Sequence, residues 1–301
     1  MTASIRSIIT GEGKNLEKTG AGELELFAEN QYTGDTFING GTLAVNSDSS
    51  FGSPDGSIII NGGILKTGVG FKSKRAITLG EHDGGIESSS GTELVISGQV
   101  TGSGTLFKYG PGTLELTNPG NDYQGGTTID QGLFRLTDSG AAGFGDIFLN
   151  SGAGIEMRLD GNSSMGNQID GYGTIEKSGT GNLSLTAESI RSDALKVTQG
   201  SLSIKNVLET EQIHLLSNTS LDVGTLRIAD QTHLQISNKG RFGFRKMQVI
   251  GTDNRISGNM PSAAGKELYF ILSPFTLSGD TMLRVDGRSL NVDGASLTLA
   301  S

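Results

Sequence analysis

The sequence predicts an all-β chain wound into a three-sided β-solenoid, and three observations predict it. The first is an internal echo. Leu16-Glu17-Lys18-Thr19-Gly20-Ala21-Gly22-Glu23-Leu24-Glu25-Leu26 returns as Leu106-Phe107-Lys108-Tyr109-Gly110-Pro111-Gly112-Thr113-Leu114-Glu115-Leu116, and again as Ile175-Glu176-Lys177-Ser178-Gly179-Thr180-Gly181-Asn182-Leu183-Ser184-Leu185. Self-similarity at long period marks a repeat architecture, in which each unit buries its apolar face only against a neighbour. The second is texture: short alternating apolar runs recur about every ten residues between turn residues, and helical periodicity is nearly missing. The third is composition. With 47 Gly, 5 Pro and no Cys in 301 residues, the chain has the glycine for many tight turns without a collagen period. Its hydrophobic share of 34% suits a core only one or two side chains wide.

The elements follow in order. Within 16–26 a short strand, a Gly-x-Gly turn and a second strand are expected, with Leu24 and Leu26 pointing inward; Leu114 and Leu116 do the same in the second copy. The first two copies continue into a matching block, from Asn30-x-Tyr32-x-Gly34-x-Thr36 and from Asn121-x-Tyr123-x-Gly125-x-Thr127, in which Tyr32 and Tyr123 fill or cover a corner. Gly20, Gly22, Gly110 and Gly112, with Asn39-Gly40, Asn61-Gly62-Gly63 and Gly125-Gly126, supply the turns. Further inward pairs are expected at Ile58/Ile60, Leu183/Leu185, Leu195/Val197 and Leu202/Ile204. A period near 90 residues divides into about four coils of roughly 20–23 residues. A sandwich or barrel does not explain that spacing, and a propeller needs an aromatic signature per blade that is absent. From about residue 206 the Gly-Gly turns vanish. The chain is therefore read as a solenoid over 1–257, with sequence repeats in 1–205, and a cap over 258–301, where the most apolar and aromatic segment would cover an otherwise open strand edge.

Charge narrows the partners. The net charge of −9 argues against nucleic acid and against attraction to an anionic membrane. No apolar run is long enough for a transmembrane helix. Without cysteine there is no disulfide framework and no thiol catalysis, and the N-terminus has no signal-peptide core, so export would make this a mature fragment.

Catalytic chemistry is searched for without result. Glu81-His82-Asp83 reads as a solvated turn triplet before a metal site; His214 and His233, 19 residues apart in alternating strands, could stack as a pH-sensitive pair or half a metal site, but without a second ligand pair they read as ordinary strand residues. Gly161-Asn162-Ser163-Ser164-Met165-Gly166 has the wrong spacing for a nucleophile elbow. The region around Gly143–Phe148 lacks a calcium nonapeptide's leading Gly-Gly, and Asp35, Asp55, Asp130, Asp146 and Asp160 do not cluster. No catalytic, cofactor or metal residue is assigned, and the chain is not read as an enzyme. One candidate contact remains: in Lys239–Lys246, Arg241 and Arg245 share one strand face with Phe242 and Phe244 on the other, so Arg241, Arg245 and Lys246 form a basic strip for an acidic glycan, an acidic partner or a second acidic copy. The same alternation also fits a buried Phe pair under a solvated cationic face.

The pattern Gly-x-Gly-Thr/Glu-Leu-x-Leu followed by Asn-x-Tyr-x-Gly-x-Thr-x-Ile-x-x-Gly-x-Leu resembles the passenger-associated repeat of bacterial autotransporters. The match runs from Gly20 to Val45 and from Gly110 to Leu136, and in part at Gly179 to Leu185. The resemblance implies a right-handed parallel β-helix displayed outside a Gram-negative cell by a C-terminal outer-membrane barrel. No strands of that barrel are present in this chain. The C-terminal region is similar in placement to a passenger's autochaperone part. The function implied is adhesion, through cell–cell self-association and biofilm or through a host surface, matrix or glycan ligand. Polar turn residues Asn39, Asp55, Asn61 and Asn121 are candidate contacts. The alternatives are a stalk presenting another domain, and a polysaccharide-active β-helix enzyme.

Overall fold

Short strands joined by glycine turns give a coil that pairs with the next coil rather than with itself, and the first unit of the computed structural model is built this way. The structure describes residues 1–229 and 232–249, side chains to Phe244 apart from Asn238, and six short strands beyond, from Arg255–Asn259 to Leu297–Ala300. The predicted cap over 258–301 lies largely outside the described residues. Among those residues the only helical turns are two 3-10 segments, Asp48–Phe51 and Ser139–Ala142. The chain divides into two compact units, 1–155 and 156–301.

In the first unit, parallel strands stack in three columns. The first face runs through Thr2–Ile5, Glu23–Leu26, Gly41–Val45, Gly63–Thr67, Gly84–Ser88, Leu106–Tyr109, Thr127–Ile129 and Ile147–Leu149. The second carries Glu93–Ile96, Thr113–Leu116 and Leu133–Leu136. The third carries Leu16–Lys18, Thr36–Ile38, Ile58–Ile60, Ile77–Leu79 and Val100–Gly102. Coil length is not constant: the step from Leu24 to its partner Leu43 is shorter than the step from Ile77 to Val100. Alternation puts like residues above one another, so Leu43, Leu65, Ile86, Ile129 and Leu149 form one buried inward ladder. Fully burying such a side chain is worth about 1.5–3 kcal/mol, which is why alternation alone specifies the inward face. Leu26, Leu114 and Leu116 are buried as expected. Leu24 is only half-buried, because its neighbour across the ladder is Ala3, too small to cover it.

The columns refine the meaning of the echo. Leu16 stands on the third face; four coils later its column has reached Val100, and Leu106 begins one face further on, paired with Gly84 of the first face. The repeat is therefore four coils plus one face rather than four coils, and the second copy is turned by a third of a revolution within the unit.

What the copies share is a corner. Lys18 and Lys108 each occupy the last inward position before the turn, in a ladder otherwise made of aliphatic residues: Lys108 lies between Ile86 and Ile129, Lys18 beside Ile38. Both are buried. The stem packs in the ladder and the ammonium bends into the corner, where its three donors meet three backbone carbonyls. For Lys108 these are Tyr109 O at 2.8 Å, Gly110 O at 2.7 Å and, from the next coil, Gln131 O at 3.1 Å. For Lys18 they are Thr19 O at 2.9 Å, Gly20 O at 2.7 Å and Gly40 O at 2.9 Å. Gly110 turns the chain with φ 73°, and Gly112 carries no side chain because a Cβ there would come within 2.2 Å of Ser89 O in the coil beneath.

The second block is also a corner. Asn121 Oδ1 accepts from Val100 N at 2.8 Å in one coil, and its Nδ2 donates to Ala141 O at 2.8 Å in another; Asn30 repeats this with Ile9 N at 2.9 Å and Ser50 O at 2.7 Å. Tyr123 and Tyr32 are buried and meet Thr127 Oγ1 at 2.7 Å and Thr36 Oγ1 at 2.6 Å. Gly143 and Gly52 lie over these rings, where an added Cβ would sit 2.7 Å and 3.0 Å from ring carbons.

The second unit also builds a corner without glycine. Ser201–Leu215 is one strand passing round a corner, pairing with Ser220–Ile228 and with both halves of Ser189–Val197. Asn206 holds the bend by donating Nδ2 to Ala187 O at 2.9 Å and Thr186 O at 3.2 Å. Lys177 repeats the lysine corner, giving its hydrogens to Ser178 O, Gly179 O and Leu159 O.

Candidate interaction surface

With the repeated residues occupied in packing, recognition falls to side chains that point outward. In a parallel stack, outward residues recur about every 4.8 Å, so like charges would repel along a column and opposite charges would bind it together. On the first face Lys66 lies 3.0 Å from Glu23 and 3.9 Å from Glu87. On the second, Arg135 pairs with Glu93 and with Glu115 at 3.3 Å. In each, one cation ties two carboxylates from different coils.

A neighbouring row on the first face is different. In register from coil to coil it reads Thr42, Ile64, Gly85, Phe107, Thr128 and Phe148. Phe107 and Tyr109 stand on the same side of their strand with rings 5.9 Å apart and 7° from parallel. The Tyr109 ring covers Gly85, where a Cβ would come within 2.9 Å of it. Burial, with Asp130 and Asp83 nearby, raises the Tyr109 hydroxyl pKa above its ordinary value. Phe148 is 38% exposed and Phe144, beside the turn that precedes it, is 69% exposed. This aromatic row comes from the one-face rotation of the repeat: Phe107 takes on the first face the place that Glu17 takes on the third.

The residues singled out in the sequence fall into two groups. Gly20, Gly22, Gly110, Gly112, Leu26, Leu114, Leu116, Tyr32 and Tyr123 all lie at turns or in the interior. Arg241 is exposed and pairs with Ser220, while Phe242 and Phe244 are buried with rings 5.7 Å apart. The inward side of that alternation is thus a core pair. The side chains of Arg245 and Lys246 lie outside the described residues.

One candidate contact is corrected, and the structure places two other candidates. Asn121, a candidate contact by sequence, is buried as a bridge between coils, since an amide carries an acceptor and a donor on separate atoms and can accept from one strand while donating to another. His214 and His233 do not stack: the register sets His214 against Ser237 and His233 against Arg255. Asn61 Oδ1 accepts from the backbone N of His82 at 2.9 Å, tying two turns together while the side chain stays half-exposed. Among the described residues no group of three or more His, Asp or Glu is arranged to hold a metal ion.

Sequence reasoning missed two kinds of residue. The buried lysines carried a signal, an identical Lys at the same place in all three copies of the block, but a lysine in an alternating strand reads as exposed. Arg75 carried none. It is 3% exposed, and it donates to Asp48 Oδ1 at 3.1 Å, Asp48 O at 3.1 Å, Gly52 O at 2.9 Å, Gly56 O at 3.0 Å and Ser53 O, with Phe51 under its guanidinium at 5.7 Å. Its five donors fasten the 48–56 loop.

Comparison with known proteins bears on this architecture directly. Residues 16–45 and 106–136 match the passenger-associated-transport-repeat family, the same two copies that form the lysine and tyrosine corners. The chain is 37% identical over 249 residues to the adhesin BmaC autotransporter of Brucella suis biovar 1 (strain 1330), an alignment that takes in 82% of this chain and 7% of that protein. No solved structure matches the chain. No helix among the described residues is long and apolar enough to cross a membrane. The family is a transport repeat and the relative is named an adhesin, and a solenoid with its repeated polar groups used in packing fits a non-catalytic role. Repeat, fold and relative agree that the chain is an autotransporter passenger segment built on passenger-associated transport repeats.

Proposed function

We propose that this segment is an extracellular adhesive module, displayed at a bacterial surface and making contact through outward side chains of its solenoid. The observation that carries the reading is the similarity to an autotransporter adhesin along 82% of the chain. The half-buried Phe107 and Tyr109 with the exposed Phe148 support it, because aromatic side chains are enriched where proteins meet partners. Arg241 with Arg245 and Lys246 is a second contact for an acidic partner on a chain of net charge −9. Many weak contacts repeated along coils and across a cell surface multiply into avidity. Attachment to the outer membrane through a barrel elsewhere in the protein, the cap at 258–301, and a part in biofilm or host attachment belong to this proposal.

The test is display of the segment on a bacterium that neither clumps nor attaches. Settling of the cells, or attachment to host cells or matrix, is the expected result, and the Phe107→Ser/Phe148→Ser double variant weakens it. Neither settling nor attachment at normal surface expression would leave a stalk, and the adhesive reading fails.

A further inference from the structure

A cleft in the second unit is not used by the packing just described. It has a volume of about 220 Å³ and opens at a corner of the coils, lined by Tyr172, Arg191, Ser192, Asp193, Glu209 and Glu211 among others. That is smaller than the roughly 300–1,000 Å³ typical of drug-sized ligands, so it takes a single ring rather than a long chain.

Its walls come from successive coils in register. Arg191 pairs with Glu209, and Glu209 with Arg227. Arg191 is held by Asp170 at 2.5 Å, and its guanidinium lies over one face of the Tyr172 ring at 5.2 Å. The ring is 53% exposed and lines the cleft together with Arg191. A tyrosine pinned on one side by a salt-bridged guanidinium is a rigid flat platform, and little entropy is lost when something stacks on its free side. The rim supplies acceptors: Asp193, Glu209 and Glu211. Burial raises the Asp193 pKa above its ordinary value. The floor is two buried hydroxyls, Ser192 and Thr210, 3.4 Å apart.

We propose that this cleft binds the terminal pyranose of a neutral glycan. A sugar ring is the ligand that offers an apolar C–H face to an aromatic platform while its edge presents hydroxyl donors to carboxylates. Sialylated and sulfated sugars are disfavoured because four carboxylates, Asp170, Asp193, Glu209 and Glu211, outnumber Arg191 and Arg227 around the site. A simple aliphatic amine has no ring face to set against Tyr172, and Glu209 already lies between two arginines. The inference rests on the adhesive reading and gives it a ligand class.

Saturation-transfer NMR of the whole chain with methyl glycosides of glucose, galactose, mannose and N-acetylglucosamine tests it, with N-acetylneuraminic acid and cadaverine as comparison ligands. At least one neutral glycoside receives saturation, strongest on its C–H face. Tyr172→Ala, an exposed substitution that leaves the circular dichroism unchanged, abolishes the transfer, and Asp193→Asn weakens binding at least about tenfold. The proposal is overturned if no neutral glycoside binds, if Tyr172→Ala binds as well as the parent, or if cadaverine or N-acetylneuraminic acid displaces the sugar. Displayed on cells, a parent that adheres equally well with saturating glycoside and as Tyr172→Ala overturns the sugar site while adhesion stands. A parent that binds the glycoside in solution but adheres to nothing overturns adhesion while the site stands.

Discussion

Residues 16–45 and 106–136 match the same repeat family, make the same hydrogen bonds and stand on different faces of their unit. The first copy opens on the third face, the second on the first face. In both, a lysine closes an inward ladder with three carbonyl bonds, an asparagine bridges coils, and a tyrosine hydroxyl meets a threonine one short turn further on. The repeat therefore encodes corners, not a position around the axis. This works because the three faces are equivalent where packing is concerned: each needs one inward aliphatic per coil and a turn that lets backbones approach. Outward positions are under no such constraint, and there the copies diverge, Glu17 against Phe107.

The copies also differ slightly in depth. Lys108 is 0% exposed and Lys18 is 6% exposed. The largest expected effect is at this pair. Lys108→Met keeps the stem but leaves the carbonyls of Tyr109, Gly110 and Gln131 without their donor, at a cost of about 2–4 kcal/mol in chemical denaturation; Lys18→Met costs less. A pH series sharpens the comparison. Burial pulls Lys108 down to about 8, against the opposing pull of Glu87 and Asp130. The unfolded chain then holds that proton more tightly, so the stability of the parent relative to Lys108→Met rises from about pH 8 to about 10.5 and falls as pH drops back through 8. A gap between parent and variant that is flat over that window would mean the ammonium is fully compensated by its three carbonyls.

Next in size is the asparagine bridge. Asn121→Ala and Asn30→Ala each remove two bonds that bridge coils, and each costs about 2–3 kcal/mol by thermal or urea unfolding. If the corner is the unit of the repeat, the two values agree despite the different faces. A cost near zero in one copy and full in the other would break that equivalence.

The smallest effect is at the tyrosines. Tyr123→Phe and Tyr32→Phe leave Thr127 and Thr36 hydroxyls buried without that partner, for about 1–2 kcal/mol each. Both rings remain packed under Gly143 and Gly52, so the circular dichroism of the variants matches the parent.

Much of this was legible in the residues. Alternation at Leu114/Leu116, Ile58/Ile60 and Leu202/Ile204 names the inward side, because only one side of each coil can avoid water. Gly110 and Gly112 name the turn, because no other residue tolerates both the backbone conformation and the carbonyl beneath. Tyr123 was readable as a corner residue. The aromatic row was not: Phe107 and Phe148 lie two coils apart, and only the register through Thr128 brings them to one face. The cleft was not legible either, since Tyr172, Arg191 and Glu209 belong to three successive coils.

By itself the sequence determined an all-β solenoid, its short coil and its family, because those depend on local choices repeated many times: alternation, turn chemistry and the spacing of glycine. The tertiary structure alone decided that the repeat advances by four coils and one face, that three lysines are interior, and which outward residues become neighbours. The reason is accumulation. Successive coils differ in length by only a few positions, as the steps from Leu24 to Leu43 and from Ile77 to Val100 show. Their sum nonetheless sets the face on which each later residue of the stack stands, and no local pattern carries that sum.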